Sequence, residues 1–318
     1  LIPPVECVLR PTTAADVPIL FSLIQALADY EKLSHEVVGQ ASALAEHLFG
    51  DRPYVEAMVA EVDGKAVGFA LWFPTYISCL AQPGLYLEDL FVLPEYRGQG
   101  IGKALLTGLY QLAVDRGCDR LEWSVLDWNA PAINFYRRMG ASLREENRIC
   151  RLTGQQLTQV AAANPTSNFR LAGMADLPGL WSCIQAKAEK DGLSQTLTGT
   201  LELLSQHVCQ VPPAIKAVLV EQNGEVMGFA TFFHNYSTFL TQPGLRIEAL
   251  FGGVADRERV LEAALLTEVA RLAVARNCGR VEWEVAAEDE QAIAVYQKLG
   301  ATVLPDWRLC QVRGAALS

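Results

Sequence analysis

The sequence is short of positive charge. Its 318 residues carry 26 Lys and Arg against 36 Asp and Glu, a formal net charge of −10, with a pI near 5.0. Tracking nucleic-acid phosphates needs a basic face, so nucleic acid is not expected as a partner, while a cationic one suits the balance. Also missing is any apolar run approaching the ~20 residues that a bilayer-spanning helix needs. Leu1 to Arg10 has neither the basic start nor the apolar core of a signal peptide, so a cytoplasmic protein with no membrane partner is expected. Eight cysteines (7, 79, 118, 150, 183, 209, 278 and 310) include no Cys-x-x-Cys pair. Disulfide frameworks belong to small secreted domains, so these read as reduced, mostly buried, small hydrophobes. The four histidines (35, 47, 207 and 234) lack metal-ligand spacing, and no metal is expected.

What is present is organised around Arg97-Gly98-Gln99-Gly100-Ile101-Gly102-Lys103. An apolar run, Leu85–Leu93, precedes it and Pro94 stops that run. Residues 104–113 after it have helical periodicity. Strand, glycine turn and helix start therefore follow one another. Glycines let backbone N–H groups approach a ligand, and a helix start favours an anion. The loop is thus placed to cradle a phosphate, with Arg97 and Lys103 adding charge. It is not a P-loop, since Ala104 follows Gly102-Lys103, and its G-x-G-x-G spacing is not the dinucleotide fingerprint.

Glu88 lies in the apolar run before the loop, and strand geometry sets Glu88 and Asp89 on opposite faces. A buried carboxylate is a candidate base. Tyr136 sits in a helical segment after the loop, and a phenol of pKa ~10 can protonate a leaving group of similar basicity.

The loop after such a strand resembles the acetyl-CoA pyrophosphate loop of the GNAT superfamily of N-acetyltransferases. Leu85–Asp89 and Trp128–Ala141 resemble the spermidine/spermine (diamine/thialysine) branch, and the likeness covers roughly residues 6–153. It implies acetyl-CoA as co-substrate, a small primary amine as acceptor and direct attack. Glu88 is then the base and Tyr136 the acid. The resemblance assigns the backbone of Leu90, Phe91 and Val92, the loop from Arg97 through Gln99 and Ile101 to Lys103, and Asn129 to the cofactor. It assigns Tyr30, Glu31 and Asp89 to the cationic acceptor. Between Tyr76 and Leu85 the sequence departs from the polyamine enzymes, which leaves the amine open: polyamine, diamine or lysine analogue. A non-catalytic acetyl-CoA sensor and a protein N-acetyltransferase are the alternatives.

The chain also repeats itself. Gln82-Pro83-Gly84-Leu85 recurs at 242–245, Glu122-Trp123 at 282–283 and Gly140-Ala141 at 300–301, at a constant offset of 160. That is a domain duplication, not a solenoid. The fold expected is two tandem α/β domains, each a mixed, mostly antiparallel sheet flanked by helices. Residues 1–153 form the first, 154–167 a low-complexity linker, and 168–318 a degenerate second copy with a frayed tail at 314–318. In that copy Glu248 and Tyr296 persist, but Gly98, Gly100 and Gly102 become Glu258, Val260 and Glu262, and Asp89 becomes Ala249. Arg257 and Arg259 remain. The copy is not expected to bind acetyl-CoA. Fusion of a two-fold dimer would keep it, as a monomer with an internal pseudo-dimer; two independent domains on a tether are the rival arrangement.

Overall fold

The computed structural model describes residues 6–163, 168–210, 212–222, 224–253 and 258–317. The first half runs β1 (Val8–Pro11), α1 (Val17–Glu31), α2 (Ala41–Phe49), β2 (Glu56–Val62), β3 (Lys65–Ile77) and β4 (Gln82–Val92). It continues with α3 (Ile101–Asp115), β5 (Arg120–Leu126), α4 (Ala130–Arg138), β6 (Ser142–Arg144) and β7 (Asn147–Thr153). After α5 (Gly154–Ala161) come β8 (Phe169–Leu171), α6 (Leu177–Lys190), α7 (Leu201–Cys209), β9 (Lys216–Gln222), β10 (Glu225–Ser237) and β11 (Gln242–Phe251). The chain closes with α8 (Glu258–Ala275), β12 (Arg280–Ala286), α9 (Glu290–Leu299), β13 (Thr302–Leu304) and β14 (Trp307–Arg313).

Local chemistry explains the elements. Leu20, Leu23, Ile24 and Leu27 make one buried face of α1. Asp63 and Gly64 both take positive φ (51° and 75°), as the two-residue turn of the β2–β3 hairpin requires. Gln82-Pro83-Gly84 already belongs to β4, and the bend before it falls at 78–81 with Ala81 at φ 50°.

Each sheet has seven strands, ordered β1-β2-β3-β4-β5-β14-β6 and β13-β7-β12-β11-β10-β9-β8. Among the described residues, only β4/β5 and β11/β12 are parallel. The two halves have exchanged a strand. β14 pairs with β5, Trp307 to Arg313 against Leu126 to Arg120. Reciprocally, β7 pairs with β12, Thr153 to Asn147 against Arg280 to Ala286. The expectation that the first copy finishes its own sheet is therefore corrected: β7 crosses to the second. The supposed linker is corrected too, because α5 buries Leu157 and Val160 in the second half's core. Nor is the tail frayed, since 314–317 form a 3-10 turn with Leu317 in the first half's core.

The halves also share a core. Phe73, Tyr76 and Tyr86 belong to the same buried cluster as Phe229, Phe233 and Tyr236. Matching contacts cross it in both directions, His47 Nδ1 to the Tyr236 hydroxyl at 3.1 Å and His207 Nδ1 to the Tyr76 hydroxyl at 3.0 Å. Two independent domains on a tether do not describe this arrangement. Cys7, Cys79, Cys118, Cys150, Cys183, Cys278 and Cys310 are free thiols.

Candidate active site

Two features of β4 open a site. Its parallel pairing with β5 extends only from Gly84–Tyr86 against Arg120–Glu122, so the strands part beyond that point. Opposite β3 the register runs Leu71↔Asp89 and then Trp72↔Leu87, leaving Glu88 as the extra residue of a bulge. A bulge re-aims side chains. Glu88 and Asp89 therefore line the same cavity, where plain alternation had put them on opposite faces.

That cavity, of about 780 Å³, joins the glycine loop to the carboxylates. Leu90, Phe91, Val92, Arg97, Gly98, Gly100, Ile101, Gly102, Lys103, Asn129 and Tyr136 line it, with Tyr30, Glu31 and Asp89. Gln99 does not, and its amide donates to the Glu95 carbonyl at 3.2 Å. Gly98 and Gly100 take φ of 76° and 87°, a region that L side chains rarely enter, and a Cβ on either would meet open space. Gly100 caps α3, so the unpaired N–H groups of that helix start lie at the loop.

Asn129 caps α4 by accepting from the Ala132 N–H at 3.3 Å, and its Oδ1 also accepts from the Tyr30 hydroxyl at 3.2 Å. The Arg97 guanidinium lies 4.5 Å from the centre of the Tyr30 ring and 5.3 Å from that of Phe91, while its Nε donates to the Val92 carbonyl at 2.9 Å. Tyr30 is thus bound to two residues that the sequence assigned to the cofactor, although it was itself assigned to the acceptor.

The acidic end is unusual electrostatically. Burial first, then the charges of Glu88 and Glu36, pushes Glu31 up to about 7. Burial likewise raises Asp89 well above the carboxylate range; Glu88 and Glu31 add to this, and the Thr238 hydroxyl and Arg280 oppose it. Asp89 Oδ2 is buried with no hydrogen-bond partner. Glu88 is also raised, by burial ahead of the opposing charge of Arg280. Arg280 Nη2 donates to Glu88 Oε1 at 2.9 Å and also to the Tyr236 carbonyl. Tyr136, packed 4.9 Å from the Trp123 ring, is pushed above the ordinary phenol value by burial.

Sequence reasoning missed what the second half contributes. Ser237, Thr238, Phe239, Arg280 and Trp307 all line the cavity. The only local hint was Arg120, the first-half match of Arg280; the contact itself joins residues 192 apart.

The equivalent place in the second half is built differently. In α8 the helix begins at Glu258, three positions earlier than α3 does at the shared offset. Glu262, standing for Gly102, is buried and accepts from Arg259 Nη1 at 2.7 Å and from the Tyr296 hydroxyl at 3.3 Å. Arg259 Nη2 reaches Asp289, the match of Asn129, at 2.5 Å. Lys190, the match of Tyr30, pairs with Glu258. Arg257 lies outside the described residues. No group of three or more potential metal ligands occurs among the described residues, and no described helix is long and apolar enough to cross a membrane.

Comparison with known proteins agrees with this duplicated architecture. The model of the acetyltransferase (GNAT) family matches residues 24–141 and again 189–301. L-ornithine N5-acetyltransferase from Arabidopsis thaliana is 35% identical over 201 residues, 49% of this chain and 88% of the relative. Thialysine N-epsilon-acetyltransferase from Bos taurus is 38% identical over 141 residues, 42% of this chain and 82% of the relative. Among solved structures, a GCN5-related N-acetyltransferase from Sphaerobacter thermophilus aligns with a TM-score of 0.58 at 17% identity, covering 96% of this chain and 95% of that one. A tandem GNAT protein from the clavulanic acid biosynthesis pathway aligns at 0.50 and 17%, over 97% and 98%; at such identity the likeness is one of fold. Two matches to one family model, on the two copies of one sheet, identify this chain as a tandem member of the GNAT acetyltransferase family.

Proposed function

We propose that the chain transfers an acetyl group from acetyl-CoA to a primary amine of a small cationic acceptor, and that only the first half binds the cofactor. The observation that carries this reading is the single cavity with a glycine-lined helix start at one end and Glu31, Glu88 and Asp89 at the other. The open space at Gly98 and Gly100 fits a phosphate group at that helix start. The names of the ornithine and thialysine relatives support a small amine.

When bound, acetyl-CoA supplies the activated acyl group. The loop backbone and Lys103 hold its diphosphate, and the separated edge of β4 offers backbone groups to its arm. An alkyl amine of pKa ~10.4 is neutral about once in 2,500 molecules at pH 7, a cost of ~4.6 kcal/mol unless the site helps. Glu88 takes that proton, directly or through one water. Arg280 holds its Oε1 and leaves Oε2 for the proton. Asp89 and Glu31 balance the acceptor's charge, and Tyr136 holds a proton for the leaving group. A covalent route has no support: Cys79 does not line the cavity, and burial pushes its thiol up to about 11, a poor nucleophile.

The test is acetyl-CoA consumption with ornithine, thialysine, diamines, polyamines and lysine peptides. Turnover with a free small diamine is expected. Tight acetyl-CoA binding with no turnover on any amine would replace the reading with a sensor, and turnover on peptides alone would replace it with a protein acetyltransferase.

A further inference from the structure

One ion pair of the first half has no counterpart in the second. Arg116, at the C-terminal end of α3, makes two bonds to Glu56 on β2, at 2.6 and 2.7 Å. The offset of 160 carries this pair to Arg276 and Lys216. The carboxylate has become an ammonium, so two cations stand where the first half has a salt bridge. The Arg276 guanidinium lies 5.4 Å from the centre of the Phe232 ring, and its Nη1 is buried with no hydrogen-bond partner.

More nitrogen surrounds it. Lys216 is the cross-strand partner of Phe232, and such partners share a face. His234 lies two residues along β10 and so on that face as well; the first half has Pro74 there. Tyr54 of the first half packs its ring 5.3 Å from His234, and the exposed Arg52, two residues before it, is near enough for its charge to act on Lys216, His234 and Arg276. Burial, with the charges of Lys216, Arg276 and Arg52, holds the His234 imidazole down to about 4. Burial and the charges of Arg276 and Arg52 also lower Lys216. No carboxylate among the described residues offsets Lys216, His234 or Arg276. The dipole at the end of α8 favours one cation, but α3 offers the same dipole to Arg116, so it does not account for Lys216, His234 and Arg52.

We propose that Arg52, Lys216, His234 and Arg276 form an anion site between the two halves, and that its ligand is a phosphate group. Three cations match a phosphate dianion better than a monocarboxylate, and the arginine forks suit its oxygens. The neutral imidazole adds a donor. Inorganic phosphate and a phosphomonoester present the same group to this corner, which lies apart from the cavity at β4.

Thermal unfolding and calorimetric titration of the full chain, with inorganic phosphate, a phosphomonoester, acetate and chloride at matched ionic strength, test this. Phosphate should bind saturably and raise Tm by about 3 °C, as a ligand well above its Kd does, with acetate and chloride raising it less. Lys216→Glu should restore the Arg116–Glu56 type of pair, raise Tm in phosphate-free buffer and remove the phosphate increment. Lys216→Gln, which keeps the size of the side chain, should weaken phosphate binding at least fivefold. An equal response to chloride would mean screening alone and overturn the site. A phosphate response that persists in both Lys216 variants but vanishes in Gly100→Val would assign it to the loop before α3 and overturn it as well. Binding of the phosphomonoester but not inorganic phosphate would support the site and name its source.

Discussion

The two halves share a fold and differ at one helix start. In the first, Gly98 and Gly100 hold positive φ, and α3 begins after them with its N–H groups free. In the second, Glu258, Arg259 and Val260 have joined the helix; Arg259 bonds Glu262 and Asp289, and Lys190 pairs with Glu258, over the same ground. Loss of the glycines did more than remove a cradle. Helical backbone and ion pairs fill the space in its place. A glycine loop and a solid helix turn are thus alternatives at one position, chosen by whether the residues tolerate left-handed backbone.

The comparison is broken most severely at the chemical groups. Tyr136→Phe and Glu88→Gln are each expected to lower kcat by about 10² or more, with little change in the apparent constant for acetyl-CoA. Glu88→Gln should do most damage at low pH, where free amine is scarcest. Normal turnover in both would leave water or backbone as the proton path. Next comes the loop. Gly100→Val copies the second half's residue into the first and should weaken acetyl-CoA binding at least tenfold, about 1.4 kcal/mol, with the fold intact. Calorimetry on the wild type should give one equivalent per chain, and two equivalents would refute the difference between the halves. The smallest effect concerns pH. Glu31, pushed up to about 7, keeps in the folded chain a proton that the unfolded chain releases near its ordinary 4.5. Its contribution to stability is full below about 4.5 and is lost as pH rises to about 7. Glu31→Gln should flatten that part of the Tm profile, and a cationic acceptor should do the same for wild type; an unchanged slope in the variant would remove Glu31 from the acidic cluster.

Much of this was legible in the sequence because it is local. The apolar run Leu85–Leu93 located much of β4, the periodicity of 104–113 located α3, and the glycines located its start. The offset of 160 revealed the second copy. What was not legible depended on pairing over long range. β7 and β14 read Arg148-Ile149-Cys150-Arg151-Leu152 and Arg308-Leu309-Cys310-Gln311-Val312, almost the same pattern. Either would satisfy β5 or β12, so no local signal tells exchange from self-pairing. The bulge at Glu88 escaped for a related reason: strict alternation is the default, and only the register against β3 shows the extra residue. Arg280 is an ordinary strand residue until the halves meet.

The exchanged strand also governs the order in which the protein becomes itself during synthesis. The sheet that carries Glu88 and the glycine loop lacks its sixth strand until residues 307–313 emerge from the ribosome. Until then β5 either stands as an unpaired edge beside an unfinished cleft or takes β7 in the place of β14, the kind of choice that invites misassembly. The first half, although made first, cannot reach its final pairing first. The second half of the duplication therefore supplies the strand on which the first is completed, and deletion of β14 should damage the glycine-loop half sooner than the half from which it was cut.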